Sequence, residues 1–551
     1  MLKHWYKSGT PWIWLNAGAL SISLIMVIGL IVLIASRGLS HFWPPAVYAI
    51  TYAPPDSEPQ RLLASLQRSE RVTAAVVREA GFDVPQDQAI VRRHLLKLGN
   101  RDLSGRDFAW FIEDYMGSWT TPAEALVLER TTWGDFYGYL KSVQESGETI
   151  AEGEVAWREL VQRVARAENL RKQINHIERY AIGNVSHQQE QIRLDKRRLE
   201  LQGKDHPEAL AELDARHAEL DEQYQQLDAR RTLLYQHLQR DSLTAETSSG
   251  RVVTIPLEHV VRAFRPNALS LGEKLAHYGS KLREFIFDYP REANTEGGIF
   301  PAIFGTVMMV LIMSVLVTPF GVLAAIYLRE YARQGPLTRL IRICVNNLAG
   351  VPSIVFGVFG VGFFVYFLGG HIDQAFYPEA LPSPTFGRPG LFWASLTLAR
   401  LTLPVVIVAT EEGLARIPQS VREGSLALGA TKAETIWRVV VPMAAPAMMT
   451  GLILAVARAA GEVAPLMLVG VVKLAPTLPV DGTAPYVHLD RSFMHLGFHI
   501  FDVGFQSPNV EAARPLVYAT ALVLVVLIVA LNLAAMSIRN RLREKYRSAS
   551  D

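Results

Sequence analysis

The chain has 551 residues, half of them hydrophobic and 20% charged, with a formal net charge of +2. So near-neutral a balance excludes nucleic acid as an expected partner, and the length allows more than one domain. The lone cysteine, Cys344, excludes an intrachain disulfide, so any region outside the cytoplasm folds without that staple.

The first element is an apolar run over about 14–36, behind Lys3 and Lys7. It exceeds the ~7–15 residues of a secretory core and matches the ~20 of a bilayer span. Only Ile34 to Ser36 offers a weak cleavage site, so the run reads as an uncleaved anchor spanning 1–36 with its flank.

Residues 37–298 are polar on average and read as an insertion. Its first part, 44–149, is rich in Pro at the start and carries aromatic residues in WFIEDYMGSWTTP and TTWGDFYGYL, a composition able to build a small globular core. In 152–240 Gly and Pro are scarce, and Leu213, Leu220, Leu227 and Leu234 recur every seven residues. Leu160, Val164, Leu170, Ile174 and Ile177 keep helical spacing, and GKDHP at 203–207 supplies a stop and restart. An antiparallel coiled-coil hairpin of helices follows. Residues 250–290 lead back to the membrane, and RVVTIPLEHVV within them could form a strand.

Five further apolar runs cover about 299–328, 340–368, 391–410, 445–472 and 515–538, each long enough to cross a bilayer. One set of connections holds Arg329, Arg333 and Arg339; Arg416, Arg422, Lys432 and Arg438; and the basic tail 539–551. The alternate loops are poorer in Lys and Arg. The asymmetry predicts both termini in the cytoplasm and 37–298 outside. Pro319, Pro352, Pro404 and Pro465 fall within the apolar runs and favour kinks.

Charges inside such runs are costly and functional by default. Arg458 and Glu462 fall in the fifth span, where i, i+4 spacing puts them on one helix face, able to pair with each other or to line a polar path. Arg400 lies in the fourth, near its outer third if it snorkels. His488, Asp490, His495 and His499 cluster before the last run, but HLGFH lacks the Glu of a metalloprotease signature. That stretch reads as an amphipathic helix at the membrane surface; neither metal nor cofactor is expected.

Between the fourth and fifth runs lies REGSLALGATKAETIWRVVVPMAAP. Gly424, four residues and Gly429 begin like a phosphate-cradling loop, but the Lys comes two positions late and no buried strand precedes it. The stretch reads instead as two short helices broken at Gly429. Ala427, Leu428, Ile436 and Trp437 would offer apolar contacts to a partner or to the lipid interface, while Arg422, Glu423, Lys432, Glu434 and Arg438 stay wet.

Glu423-Gly424-Ser425, three residues, Gly429, nine residues and Val439-x-Val441-Pro442 resembles the EAA-type signature of ABC importer permeases, with Gly424 and Ser425 replacing its two alanines. GTVMMVLIMSVLVTPFGVLAAIYLREY, NNLAGVPSIVFGVFG and LILAVARAAGEVAPLMLVG extend the resemblance, to phosphate-specific transport (Pst) permeases of the PstA type. It covers nearly all of 299–547 and the first run, but not 37–288. The resemblance implies an all-α polytopic protein of about six transmembrane helices, a type I importer core in the bacterial inner membrane, here with a periplasmic domain added. It implies a PstC-type second permease, a PstB-type ATPase dimer, a PstS-type phosphate-binding protein and inorganic phosphate as partners, with ATP hydrolysis on the ATPase rather than on this chain. The coupling helices would lie in 411–442, with Glu423, Gly424, Ser425, Gly429, Val439 and Pro442 meeting the ATPase, and Arg458 and Glu462 would line the path; Arg400 is a second candidate for the path from its charge within the fourth span, not from the resemblance. Related permeases carry an arginine where this chain has Val408, ahead of Ala409-Thr410-Glu411. A permease for molybdate or sulfate, and a membrane-anchored phosphate-sensing or scaffolding component, are the competing readings.

Overall fold

The computed structural model describes residues 8–55, 58–79, 89–507 and 510–547; Lys3 and Lys7 lie outside them. The chain divides into two compact units, Met1–His41 with Ile299–Asp551, and Phe42–Gly298.

The first unit holds six helices long and apolar enough to cross a membrane: Trp12–Ser40, Phe300–Tyr331, Ser353–Phe376, Leu391–Ala415, Lys432–Ala460 and Ala513–Arg541. The fourth is central, with 67% of its most apolar window buried. It packs on the fifth through small residues. A Cβ on Gly413 would come within 2.4 Å of that of Ala447, and one on Gly451 within 2.7 Å of that of Ala409. Backbones that close are how helices associate where no hydrophobic effect drives them together.

Two span boundaries differ from the apolar runs. The third span starts at Ser353, not near residue 340, because the chain breaks at Ala349–Pro352; Pro336–Leu348 is a separate amphipathic helix. The fifth starts at Lys432 and ends at Ala460, so the run 445–472 was displaced by about thirteen residues. Gly461 and Pro465 end it, since Pro465 begins the short helix Leu466–Val469. Pro319 and Pro404 lie inside spans, whereas Pro352 and Pro465 cap helices.

The segment between the fifth and sixth spans folds onto the bundle. The Leu496 N–H donates to Thr306 Oγ1 at 2.9 Å, and helix Leu496–Phe501 packs on the second and sixth spans. The expected surface helix is therefore a buried one. The four residues grouped before the last span separate: His488 meets Asp481 at 2.9 Å, Asp490 pairs with Arg388, and His495 and His499 are buried. Among the described residues no group of three His, Cys, Asp or Glu side chains could hold a metal.

The second unit overturns the all-α expectation. Strands β1 (Val47–Tyr52), β2 (Gln60–Thr73), β3 (Ile90–Lys97) and β4 (Phe108–Ile112) form an antiparallel sheet in chain order. A second sheet is built from β5 (Ala125–Arg130), β6 (Phe136–Glu145), β7 (Glu148–Glu152), β8 (Asp241–Glu246), β9 (Val252–Pro256) and β10 (Val260–Phe264), ordered β10-β5-β6-β8-β9 with β7 also on β6. The stretch 251–261 thus supplies two strands, not one. The physical reason is alternation, as in β8, where buried and partly buried residues take turns, overshadowed in sequence by the long helical region beside it.

That region is a helical hairpin, Gly153–Leu201 (with a π-helical turn at Ile177–Ile182) against Pro207–Gln239. Ala167 and Ile174 meet Leu238, with Leu170 and Leu234 beside them; further out, Val185 and Ile192 meet Leu220 between Leu213 and Leu227. The arms leave the sheet from β7 and β8, and Ala156, Leu160 and Val164 belong to the sheet's own core with Leu126, Val143 and Leu243.

Because its base is sheet core and its far part is not, replacing 178–230 by a short Gly-rich turn should leave the melting temperature of the purified second unit within a few degrees. Extending the deletion back to 152–240 should abolish that transition, as thermal circular dichroism would report. Burial pushes His495 and His499 down to about 4. Both rings are neutral in the fold, while the unfolded chain takes up protons near 6.5, so this stability is full above about 6.5 and is lost as pH falls toward 4. Going from pH 7 to pH 5 should cost about 2 kcal/mol per ring, and thermal unfolding in detergent should show a weaker acid sensitivity for His499→Gln than for the parent.

Candidate functional site

The corner between the fourth and fifth spans begins where Leu391–Ala415 runs out of apolar residues and Pro418 starts a new helix, Gln419–Ala427. None of that helix's residues is buried. It ends at Leu428, and Gly429 takes φ +88, the left-handed cap that glycine adopts without strain. Thr431 restarts the chain with a capping box: its hydroxyl accepts from the Glu434 N–H, and Glu434 accepts from the Thr431 N–H at 2.9 Å. A π-helical turn, Ile436–Val440, follows within the first turns of the fifth span.

Glu423, Gly424 and Gly429 are exposed, Val439 and Pro442 partly so, and Leu428 is 91% exposed, with Leu426 and Trp437 open beside it. Ile436, expected to meet a partner, is instead 2% exposed and packs with Ile326, Leu414, Ile417 and Val440. The corner is clamped from behind. Arg422 donates to Glu330 Oε1 at 2.8 Å and to the carbonyls of Leu414 and Ile417 at 2.8 and 2.6 Å. Lys432 donates to the Glu330 carbonyl at 2.5 Å, and the Ser425 and Thr435 hydroxyls bond at 2.9 Å. Arg422, taken from sequence as a wetted residue, is mostly covered and structural, while Lys432 is exposed as expected and also reaches back to the second span.

The charges of the spans are not arranged as the sequence suggests. Arg458 is exposed in the last turn of the fifth span, and Glu462 lies beyond that helix. They do not share a helix face, and no ion pair joins them among the described residues. The break at Gly461 separates them. Arg400 lies nine residues inside the fourth span, about 14 Å along its axis. Its guanidinium sits 3.8 Å from the ring centroid of Phe359 on the third span. Val408 lines a small cleft with Leu328, Arg342, Val345 and Glu411. There the Arg342 Nε donates to Glu411 at 2.8 Å. Arg342, Glu330 and Glu411 were not singled out from the sequence, because pairs 69 and 92 residues apart leave no local pattern.

Residues 317–548 match the family described as "Binding-protein-dependent transport system inner membrane component". "Phosphate transport system permease protein PstA 1" of Mycobacterium tuberculosis (strain ATCC 25618 / H37Rv) is 34% identical over 244 residues, 44% of this chain and 70% of that one. The PstA of Mycobacterium leprae is 33% identical over 253 residues, 44% of this chain and 71% of the relative. A "Probable phosphate transport system permease protein PstA" of Methanocaldococcus jannaschii is 29% identical over 43% of this chain and 74% of the relative. Among solved structures, a chain of the inward-facing MetNI methionine ABC transporter overlaps at 18% identity and a TM-score of 0.32, over 44% of this chain and 94% of that one, too loosely to bear on the fold.

Six apolar helices with an exposed, glycine-broken corner between the fourth and fifth define an ABC importer permease subunit of the inner membrane. The chain belongs to the PstA-type permeases.

Open space surrounds a would-be Cβ at both Gly424 and Gly429, so backbone alone decides what alanine does there. Gly424→Ala should firm the helix by about 0.5–1 kcal/mol, and Gly429→Ala should strain the turn by about 1–2 kcal/mol. Limited trypsinolysis of the detergent-solubilised chain should therefore cut the corner more slowly in the first variant and faster in the second.

Proposed function

We propose that this chain is the permease subunit of an ATP-driven phosphate importer. It forms half of the translocation pathway beside a PstC-type permease. Phosphate arrives from a PstS-type binding protein, and a PstB-type ATPase dimer drives the cycle. The names of the curated relatives support phosphate as cargo. The observation that carries coupling is the corner: Glu423, Gly424, Leu428 and Trp437 stand exposed on a segment bolted to two spans by Arg422. A groove on the ATPase closing over Leu428 would move the ends of the second and fourth spans with it. Ser425, Gly429, Val439 and Pro442 give that lever its bond, turn and root.

Both termini lie in the cytoplasm in this reading, and 37–298 in the periplasm. Arg329, Arg333 and Arg339 share one end of the bundle with Arg416, Arg422, Lys432 and Arg438, because successive spans alternate in direction. Arg458, exposed and free of a carboxylate partner among the described residues, and Glu462 just beyond it stand at the opposite end, where an incoming anion would first meet the spans. A guanidinium stays charged and offers a fork of donors to a tetrahedral oxyanion.

Arg458→Gln should lower uptake of radiolabelled phosphate at least tenfold, at unchanged abundance of the subunit in the membrane. Leu428→Asp should abolish co-purification of the ATPase. Uptake that excess sulfate or molybdate, but not excess phosphate, suppresses would reassign the cargo to another oxyanion.

A further inference from the structure

Of the Asp, Glu, Lys, Arg and His side chains in the six spans, Arg400 lies deepest. Nine residues separate it from Leu391 and more from Ala415, while every other Asp, Glu, Lys, Arg or His of the spans lies within six residues of an end. Nothing of opposite charge answers it: among the described residues no carboxylate stands within 4 Å and no acceptor takes its N–H groups. Its contacts are aromatic, 3.8 Å to the centroid of Phe359 and 5.9 Å to that of Phe356.

Such a placement is expensive for a residue with only a packing role. A guanidinium at bilayer depth is costly to insert, and a cation–π contact offsets part of that cost without supplying a hydrogen-bond acceptor for any of its five donors. The other cations of the unit show what a structural role looks like here: Arg342 is satisfied by Glu411, and Arg422 by Glu330 and two carbonyls. The helix carrying Arg400 is also held rigidly, since Leu398, Ala399 and Leu401 pack in one core with Ala455, Val456 and Ala459 of the fifth span. Arg400 itself is only half-buried, so its donors remain reachable.

We propose that Arg400, backed by Phe359, is an anion-binding station within the spans that takes a small inorganic oxyanion in transit. The identity of the oxyanion rests on the importer reading above. The absence of a carboxylate partner leaves the guanidinium fork open to the anion. The aromatic backing competes for the same charge, which keeps the anion from being held too tightly to leave, as conduction requires.

The test uses the assembled transporter in membranes and the chain's lone cysteine, Cys344. Cys344→Ser provides a thiol-free parent, into which Arg400→Cys or Arg400→Met is introduced. Methionine keeps an unbranched apolar stem against Phe359, so a packing role survives in that variant and an anion-binding role does not. Both variants should take up labelled phosphate at least tenfold more slowly than the parent, with the subunit equally abundant. The thiol of Arg400→Cys should react with water-borne methanethiosulfonates; a cationic ethylammonium adduct should restore at least a third of parental uptake, and an anionic ethylsulfonate adduct none. Uptake by Arg400→Met within twofold of the parent, a thiol inert to both reagents, or equal rescue by both adducts overturns the station while leaving the importer reading intact. A parent that carries sulfate or molybdate instead of phosphate overturns only the cargo, and the rescue is then read with that anion. A parent that carries no oxyanion overturns both.

Discussion

The first unit depends on how Arg422 is satisfied. The last carbonyls of any helix lack intrahelical donors, and at the end of the fourth span those of Leu414 and Ile417 are taken by the Arg422 guanidinium, which also holds Glu330 at the end of the second span. A cation there suits the negative end of the helix dipole. Three elements are joined by one side chain, and losing it would leave two helix-end carbonyls and a mostly covered carboxylate without that donor. The residues it leaves outside, Leu428 above all, are therefore exposed on a rigid support and not on a loose loop.

The same low-dielectric argument sorts the remaining charges. Arg342 and Glu411 neutralise each other beside Val408, so a guanidinium does reach the neighbourhood of that valine, but from another helix and already committed to a carboxylate. Arg458 is at a helix end, where water lowers the cost of its charge. Arg400 has neither a carboxylate nor a nearby end, only the face of Phe359. Three arginines that look alike in a hydropathy reading differ in what balances them.

In the second unit, β7 and β8 both pair with β6, which brings together the two ends of a hairpin nearly ninety residues long. The first turns of its leading arm are covered by the sheet, and the rest is held by a narrow seam of Leu, Ile, Val and Ala. A long helical arm needs little more than that seam, since each turn adds its own hydrogen bonds once the first has formed. Stability and reach are thereby separated: the sheet folds the unit, and the arm extends from it.

The six spans, the hairpin and the Glu423–Pro442 signature were legible in sequence because each rests on local regularity: uninterrupted hydropathy, a seven-residue repeat, fixed spacing around a glycine. Apart from the strand read in 251–261, the strands are not legible in sequence, because alternation is short and partners are distant, as with β6 and β8, about a hundred residues apart. The offsets of the third and fifth spans have another cause. Apolar residues continue past Pro352 and Gly461, and hydropathy does not register where the backbone loses its helical hydrogen bonds. The sequence by itself determined that this chain crosses a membrane and turns at a glycine between its fourth and fifth apolar runs. Only the tertiary structure decided that Arg458 and Glu462 are parted, that Ile436 is core, that Arg422 is a clamp and that Arg400 stands unpaired, because the partner that satisfies or abandons a charge is chosen by helix packing and not by neighbours along the chain.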